Sequence, residues 1–215
     1  MKTLYLIPGT GADHRFFSRL QLDVKTQVIE WTEWDNAQTI REYAEVLSLQ
    51  INKEESFGIL GVSFGGMLAV EMSKFLNPEK LILVSSAKTC KELPRIVRLS
   101  RRVGVHYVIY PWLIKITPFA GKIFGVSKKD KRFFDKMVDE TPAGHLKKTI
   151  RSILYWKNTV IPSKIIHIHG SRDKVIPIKN IQNPTEIKGG GHFMVYNMAN
   201  EISIEINKLN FTKQN

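Results

Sequence analysis

Cysteine is nearly absent from this chain: Cys90 is the only one in 215 residues. No intrachain disulfide is possible, and the composition fits a reducing compartment. Long apolar runs are missing as well. The most apolar long stretch, residues 103–126, is interrupted by Pro111, Lys115, Pro118 and Lys122, which makes it a poor membrane span. After Met1-Lys2 the apolar run covers only residues 4–7 before Pro8-Gly9, too short for a secretory segment, so a first strand and a cytoplasmic location are expected. Nucleic-acid signatures are lacking: there is no RNP sequence, zinc-finger spacing or basic zipper. Metal spacing is lacking too. His167 and His169 share a strand face, but no further ligands at a zinc spacing accompany them, so they read as core histidines and no metal is expected. There is no internal repeat and no low-complexity tract.

Acidic residues are scarce relative to basic ones, 20 against 32, for a net charge of +12. The imbalance is local. Residues 88–151 hold 16 Lys/Arg and 5 Asp/Glu, an excess of +11 that accounts for nearly all of the net charge. Such a segment is either a solvated basic surface or an attractive field for an anionic partner, such as an acidic carrier protein or a lipid surface.

Six apolar, β-branched runs read as strands: 3–7, 27–31, 56–62, 80–85, 164–169 and 185–187. They lack clean alternation, as expected when helices cover both faces of a parallel sheet. Helical patterns lie between them. Asp35-Asn36 offers N-cap chemistry ahead of Ile40, Tyr43, Ala44, Leu47 and Ile51. A second helix follows Ser63 towards Leu76, another carries Leu146, Ile150, Ile153 and Leu154, and the last carries Ile202, Ile206 and Leu209. Strand and helix in alternation imply an α/β fold with a mostly parallel, doubly wound sheet of about six strands and helices on both faces. The fourth and fifth strands are separated by far more chain than one crossover helix requires. The expected organisation is therefore a core of residues 1–86 and 144–215 with a helical cap or lid at 87–143. Tyr107, Tyr110, Trp112, Leu113, Ile114, Phe119, Ile123 and Phe124 make that insertion apolar.

Between the third strand and its helix stands Gly61-Val62-Ser63-Phe64-Gly65-Gly66. A strand that reverses into a helix through a serine needs small neighbours, and the serine hydroxyl then projects from the tip of the turn. A hydroxyl is a poor nucleophile until a base takes its proton, and that base needs a carboxylate to orient it. Asp173 follows the fifth strand, in Gly170-Ser171-Arg172-Asp173. His192 follows Gly189-Gly190-Gly191 and precedes the last helix. All three residues fall beyond the carboxyl ends of strands, where open α/β sheets bind ligands. Asp13 and His14 stand near the first strand's end, and Asp13 is expected to cap a helix.

With the order Ser, Asp, His, the GxSxGG turn, the Gly-x-x-Asp-x-Val-x-Pro stretch from Gly170 to Pro177 and Gly-His before the last helix, the chain resembles the α/β-hydrolase family. Leu6-Ile7-Pro8-Gly9-Thr10-Gly11 is similar to the family's oxyanion loop, although many members carry His-Gly where this chain has Pro8-Gly9. The resemblance implies a compact member without the first two strands. It implies catalytic residues Ser63, Asp173 and His192, an oxyanion hole made by the amides of Thr10 and Phe64, and no cofactor. The implied activity is serine-dependent hydrolysis of a carboxylic ester or acyl thioester, small-molecule substrates acting through an acyl-enzyme. The same triad also serves acyltransferases and other hydrolases, and the same fold serves non-catalytic binding proteins.

Overall fold

Apolar runs buried on two faces become the strands of one sheet. The computed structural model describes residues 1–34, 39–100 and 120–211. Its strands are β1 (Thr3–Ile7), β2 (Lys25–Val28), β3 (Phe57–Val62), β4 (Lys80–Val84), β5 (Ile165–Gly170) and β6 (Thr185–Ile187). They form a six-stranded sheet, all parallel, in the order β2-β1-β3-β4-β5-β6. The reversal of winding falls between β1 and β3, a position that opens a crevice beyond the strand ends.

The register lines up apolar residues across the sheet: Leu6 pairs with Leu60, Leu60 with Ile82, and Ile82 with Ile166. Alternate residues face opposite ways, so the sheet has two cores. Tyr5, Ile7, Ile59, Leu81 and Leu83 belong to one, with Tyr43, Ala44 and Leu47 of α1 (Ile40–Leu47) and Met67 and Leu68 of α2 (Phe64–Met72). Leu4, Leu6, Leu60, Ile82 and Val84 belong to the other, with residues from the C-terminal half of the chain.

Two local expectations shift. The second strand begins at Lys25 and ends at Val28, two to three residues ahead of the apolar run that marked it. As the edge strand it pairs on one side only, and Lys25, Thr26 and Gln27 are exposed, so apolarity does not mark it. Ile29 and Trp31 instead pack in the loop beyond the strand. Secondly, α1 is capped by Thr39, whose hydroxyl accepts from the Glu42 amide while Glu42 accepts from the Thr39 amide. Asp35 and Asn36 lie outside the described residues.

Every residue of α2 is buried, Glu71 included, and the Glu71 carboxylate accepts from Trp156 Nε1 at 2.7 Å and from Lys74 Nζ. Between β4 and β5 the described chain is helical: α3 (Arg95–Ser100), α4 (Ala120–Phe124), α5 (Lys131–Glu140) and α6 (Ala143–Tyr155). Of the residues expected to make the insertion apolar, Tyr107, Tyr110, Trp112, Leu113, Ile114 and Phe119 lie outside the described residues. After β6 come α7 (Met194–Asn197) and α8 (Ala199–Asn207). Among the described residues no helix is long and apolar enough to cross a membrane.

Candidate active site

The turn from β3 into α2 is sharp because its neighbours are glycines. A Cβ on Gly61 would run into the Gly65 carbonyl, and one on Gly65 would meet the carbonyl oxygens of Ile7 and Pro8. Ser63 itself has φ 53° and ψ −119°, a backbone conformation that costs on the order of 1–3 kcal/mol for a residue with a side chain. Bonds on both sides hold it there. The Ser63 amide donates to the Val84 carbonyl at 3.0 Å, and the Ser63 carbonyl accepts from Ser86 Oγ at 2.6 Å.

His192 reaches this serine from the far side of the sheet. Gly189, with φ 81°, starts the loop after β6, and Gly170 leaves room for the Gly190 backbone to lie against β5. The amide of Arg172 donates to the Gly190 carbonyl at 2.8 Å, tying the Asp173 loop to the His192 loop. The C-terminus of α4 closes the other side: the Phe193 amide donates to the Phe124 carbonyl at 2.9 Å, and the Phe124 ring stands edge-on to the imidazole at 5.4 Å.

The structure thus brings the three expected residues into line. His192 Nε2 is 2.9 Å from Ser63 Oγ, and His192 Nδ1 is 2.7 Å from Asp173 Oδ2. The second carboxylate oxygen, Oδ1, accepts from the amides of Val175 and Ile176, each at 2.9 Å. Burial by itself would raise the Asp173 pKa. The interaction and hydrogen bond with His192, together with the Ile176 amide and His169, outweigh it and hold the carboxyl below its usual range. An ionised carboxylate only accepts, so the imidazole proton sits on Nδ1 and a bare Nε2 faces the hydroxyl.

Thr10 and Phe64 also fall beside Ser63. A Cβ on Gly9 would lie 3.2 Å from the Ser63 Cβ, which puts the 8–11 loop in contact with the serine. Among the described residues neither the Thr10 nor the Phe64 amide is engaged by a hydrogen-bond acceptor. Above the serine is a cavity of about 160 Å³ with mostly apolar walls. Phe124 of the insertion lines it, whereas Ile123 is 47% exposed and points elsewhere. Phe134, Met137 and Val138 of α5 supply the wall that sequence reading did not single out. Their i, i+3, i+4 spacing was the available signal.

The remaining candidates have other roles. Asp13 caps the 3₁₀ turn His14–Phe17, accepting from the Arg15 amide at 2.9 Å, as expected. Among the described residues no group of three His, Cys, Asp or Glu could hold a metal ion. His167 and His169 are buried on β5, 4% and 0% exposed. Burial, helped by the Lys88 cation, pushes His167 down to about 2, and burial also lowers His169.

That has a consequence for stability. A histidine kept neutral in the fold but free to protonate when unfolded contributes stability that is lost as pH falls below the unfolded value of about 6.5. Over the interval from there to pH 5, His167 alone should cost about 2 kcal/mol at ~1.36 kcal/mol per unit. Urea midpoints at pH 7 and pH 5 read this directly. Equal midpoints would mean that His167 is not held neutral.

No family model and no curated protein matches the chain. Solved structures do. MenH from S. aureus superposes with a TM-score of 0.73 at 15% identity, over 95% of this chain and 91% of that one. A thermophilic esterase from Thermogutta terrifontis gives 0.68 at 13%, over 97% and 89%. YbtT, a type II thioesterase from the yersiniabactin NRPS/PKS biosynthetic pathway, gives 0.65 at 16%, over 96% and 92%. The parallel sheet, the serine turn and these likenesses show that the chain has the α/β-hydrolase fold.

Proposed function

We propose that the protein is a serine hydrolase cleaving a carboxylic ester or an acyl thioester through an acyl-enzyme. The observation that carries this reading is the hydrogen-bonded line Ser63–His192–Asp173 opening on an apolar cavity. Structural neighbours that are esterases and type II thioesterases support the substrate class. In the first half-reaction Ser63 Oγ attacks the acyl carbon and its proton passes to His192 Nε2. The Thr10 and Phe64 amides donate to the oxyanion, such donors being worth about 3 kcal/mol each. As the C–O or C–S bond breaks, His192 returns the proton to the leaving group. Water then gives a proton to His192 while its oxygen attacks the acyl-enzyme, and Ser63 leaves with that proton. Asp173 orients the imidazole throughout, and the cavity takes the acyl chain.

A fluorophosphonate probe tests the reading, because only an activated serine reacts rapidly. Labelling confined to Ser63, with turnover across a panel of p-nitrophenyl esters and acyl thioesters, is the expected result. An unlabelled, folded protein would favour the binding-protein alternative instead.

The basic segment joins this reading as a steering surface. Lys128, Lys129, Lys131 and Arg132 are exposed, while Arg101 and Arg102 lie outside the described residues. Exposed charges act over a Debye length that shrinks from ~10 Å at 0.1 M salt to ~3 Å at 1 M. Turnover of an acidic or carrier-bound acyl substrate should therefore fall steeply with salt, and that of a small neutral ester should barely change. Equal salt responses would remove the anionic partner from the reading and leave the charge as a solubility feature.

A further inference from the structure

One row of buried polar side chains is not used by the chemistry above. Lys88, in the loop after β4, is 4% exposed, and Glu92, His167 and His169 are as deeply enclosed. Lys88 Nζ lies 2.9 Å from Glu92 Oε1, 2.7 Å from the Gln182 carbonyl oxygen and 3.1 Å from His167 Nδ1. His167 Nε2 is 3.3 Å from His169 Nδ1. His169 Nε2 is 2.7 Å from the Ile176 carbonyl oxygen and 3.4 Å from Asp173 Oδ2. The row ends on the carboxylate that faces His192.

Its direction follows from one end. An ammonium group has only N–H bonds to give, and the three partners of Lys88 use three. His167 Nδ1 therefore accepts, which leaves the proton of a neutral ring on Nε2. That proton goes to His169 Nδ1, so His169 in turn carries its own proton on Nε2, aimed at the Ile176 carbonyl and shared with Asp173. The opposite tautomer of His169 would set a bare nitrogen against a carbonyl and a carboxylate in a buried site, where unpaired acceptors are costly. The 173–176 loop is gripped twice as a result: the Ile176 amide donates to Asp173 Oδ1, and the Ile176 carbonyl accepts from His169.

We propose that Lys88, His167 and His169 are positioning residues for Asp173. Lys88 sets the proton direction along the row, and the resulting Nε2–H of His169 holds the 173–176 loop, and hence the carboxylate, in line with His192. The inference rests on the serine-hydrolase reading for its meaning in catalysis, but not for its test.

Nitrogen-detected NMR of the side-chain histidines reads the tautomers in the wild-type protein at neutral pH. The expected pattern is Nε2–H at His167 and His169 and Nδ1–H at His192. A proton on Nδ1 of His167 or His169, or a doubly protonated ring at either, overturns the proposal. In the paired variants, His169→Leu removes the N–H and His169→Gln keeps a donor of similar reach. His169→Leu should lower kcat on the order of 10²-fold, the cost of misplacing a catalytic group by about an ångström, with little change in KM. It should also shift the downfield Nδ1 proton resonance of His192, and His169→Gln should restore both. If His169→Leu keeps the wild-type kcat and the His192 resonance, His169 is packing alone and the proposal fails. Wild-type protein that neither labels nor turns over esters would count against the hydrolase reading only, because the tautomer pattern is read without substrate.

Discussion

Ser63→Ala should lower ester turnover by on the order of 10⁴-fold or more, and His192→Ala by a similar factor, because groups that act as a unit fail together. The reason is geometric. With Nε2 of His192 2.9 Å from Ser63 Oγ, the proposed mechanism has the proton leave the hydroxyl as the oxygen attacks, and neither partner has another described residue in that role. The double variant should be scarcely slower than either single one. Initial rates on a p-nitrophenyl ester, with circular dichroism to establish that the variants fold, provide the comparison. Near-normal turnover by Ser63→Ala would end the proposed mechanism.

Asp173→Asn should cost on the order of 10⁴ in kcat, although the side chain keeps its size. Asp173 accepts four hydrogen bonds or near-bonds, from His192, from His169 and from the amides of Val175 and Ile176. An asparagine can present its oxygen to the two amides, which then turns its NH₂ towards His192. The imidazole must respond by moving its proton to Nε2, where it faces Ser63 and can no longer accept. The expected signature is a low kcat with KM nearly unchanged and Ser63 no longer labelled rapidly. Rapid labelling of the asparagine variant would show that the carboxylate does not set the tautomer.

Much of this was legible in the chain because the site sits where the fold changes direction. Ser63, Asp173 and His192 each follow a strand, with glycines around Ser63 and ahead of His192, so their placement could be read without any knowledge of distances. The central strands were legible too, since β1, β3 and β4 are buried on both faces and carry little but apolar residues. The edge strand β2 was misplaced because an exposed edge is marked by pairing, not by hydrophobicity. Phe134, Met137 and Val138 were passed over because their helix is also strongly charged, and its exposed lysines and acids obscure the apolar stripe. The row from Lys88 to His169 could not be anticipated. Lys88 and His167 are 79 residues apart, and a lysine in a basic segment reads as solvated surface until the chain is folded.

The bond between His192 and Ser63 spans 129 residues of sequence. The serine turn and the 8–11 loop come from the first third of the chain, whereas Asp173 and His192 come from its last quarter. Contacts this distant close late, since the loop entropy must be spent before they return anything. A chain that has assembled β1, β3 and β4 already presents the Ser63 hydroxyl and the Thr10 and Phe64 amides, yet it lacks the base of the proposed mechanism. On the proposed mechanism it would stay chemically silent until β6 docks and carries His192 across the sheet. Partly folded molecules would then not hydrolyse esters, and the arrival of activity would mark the docking of β6.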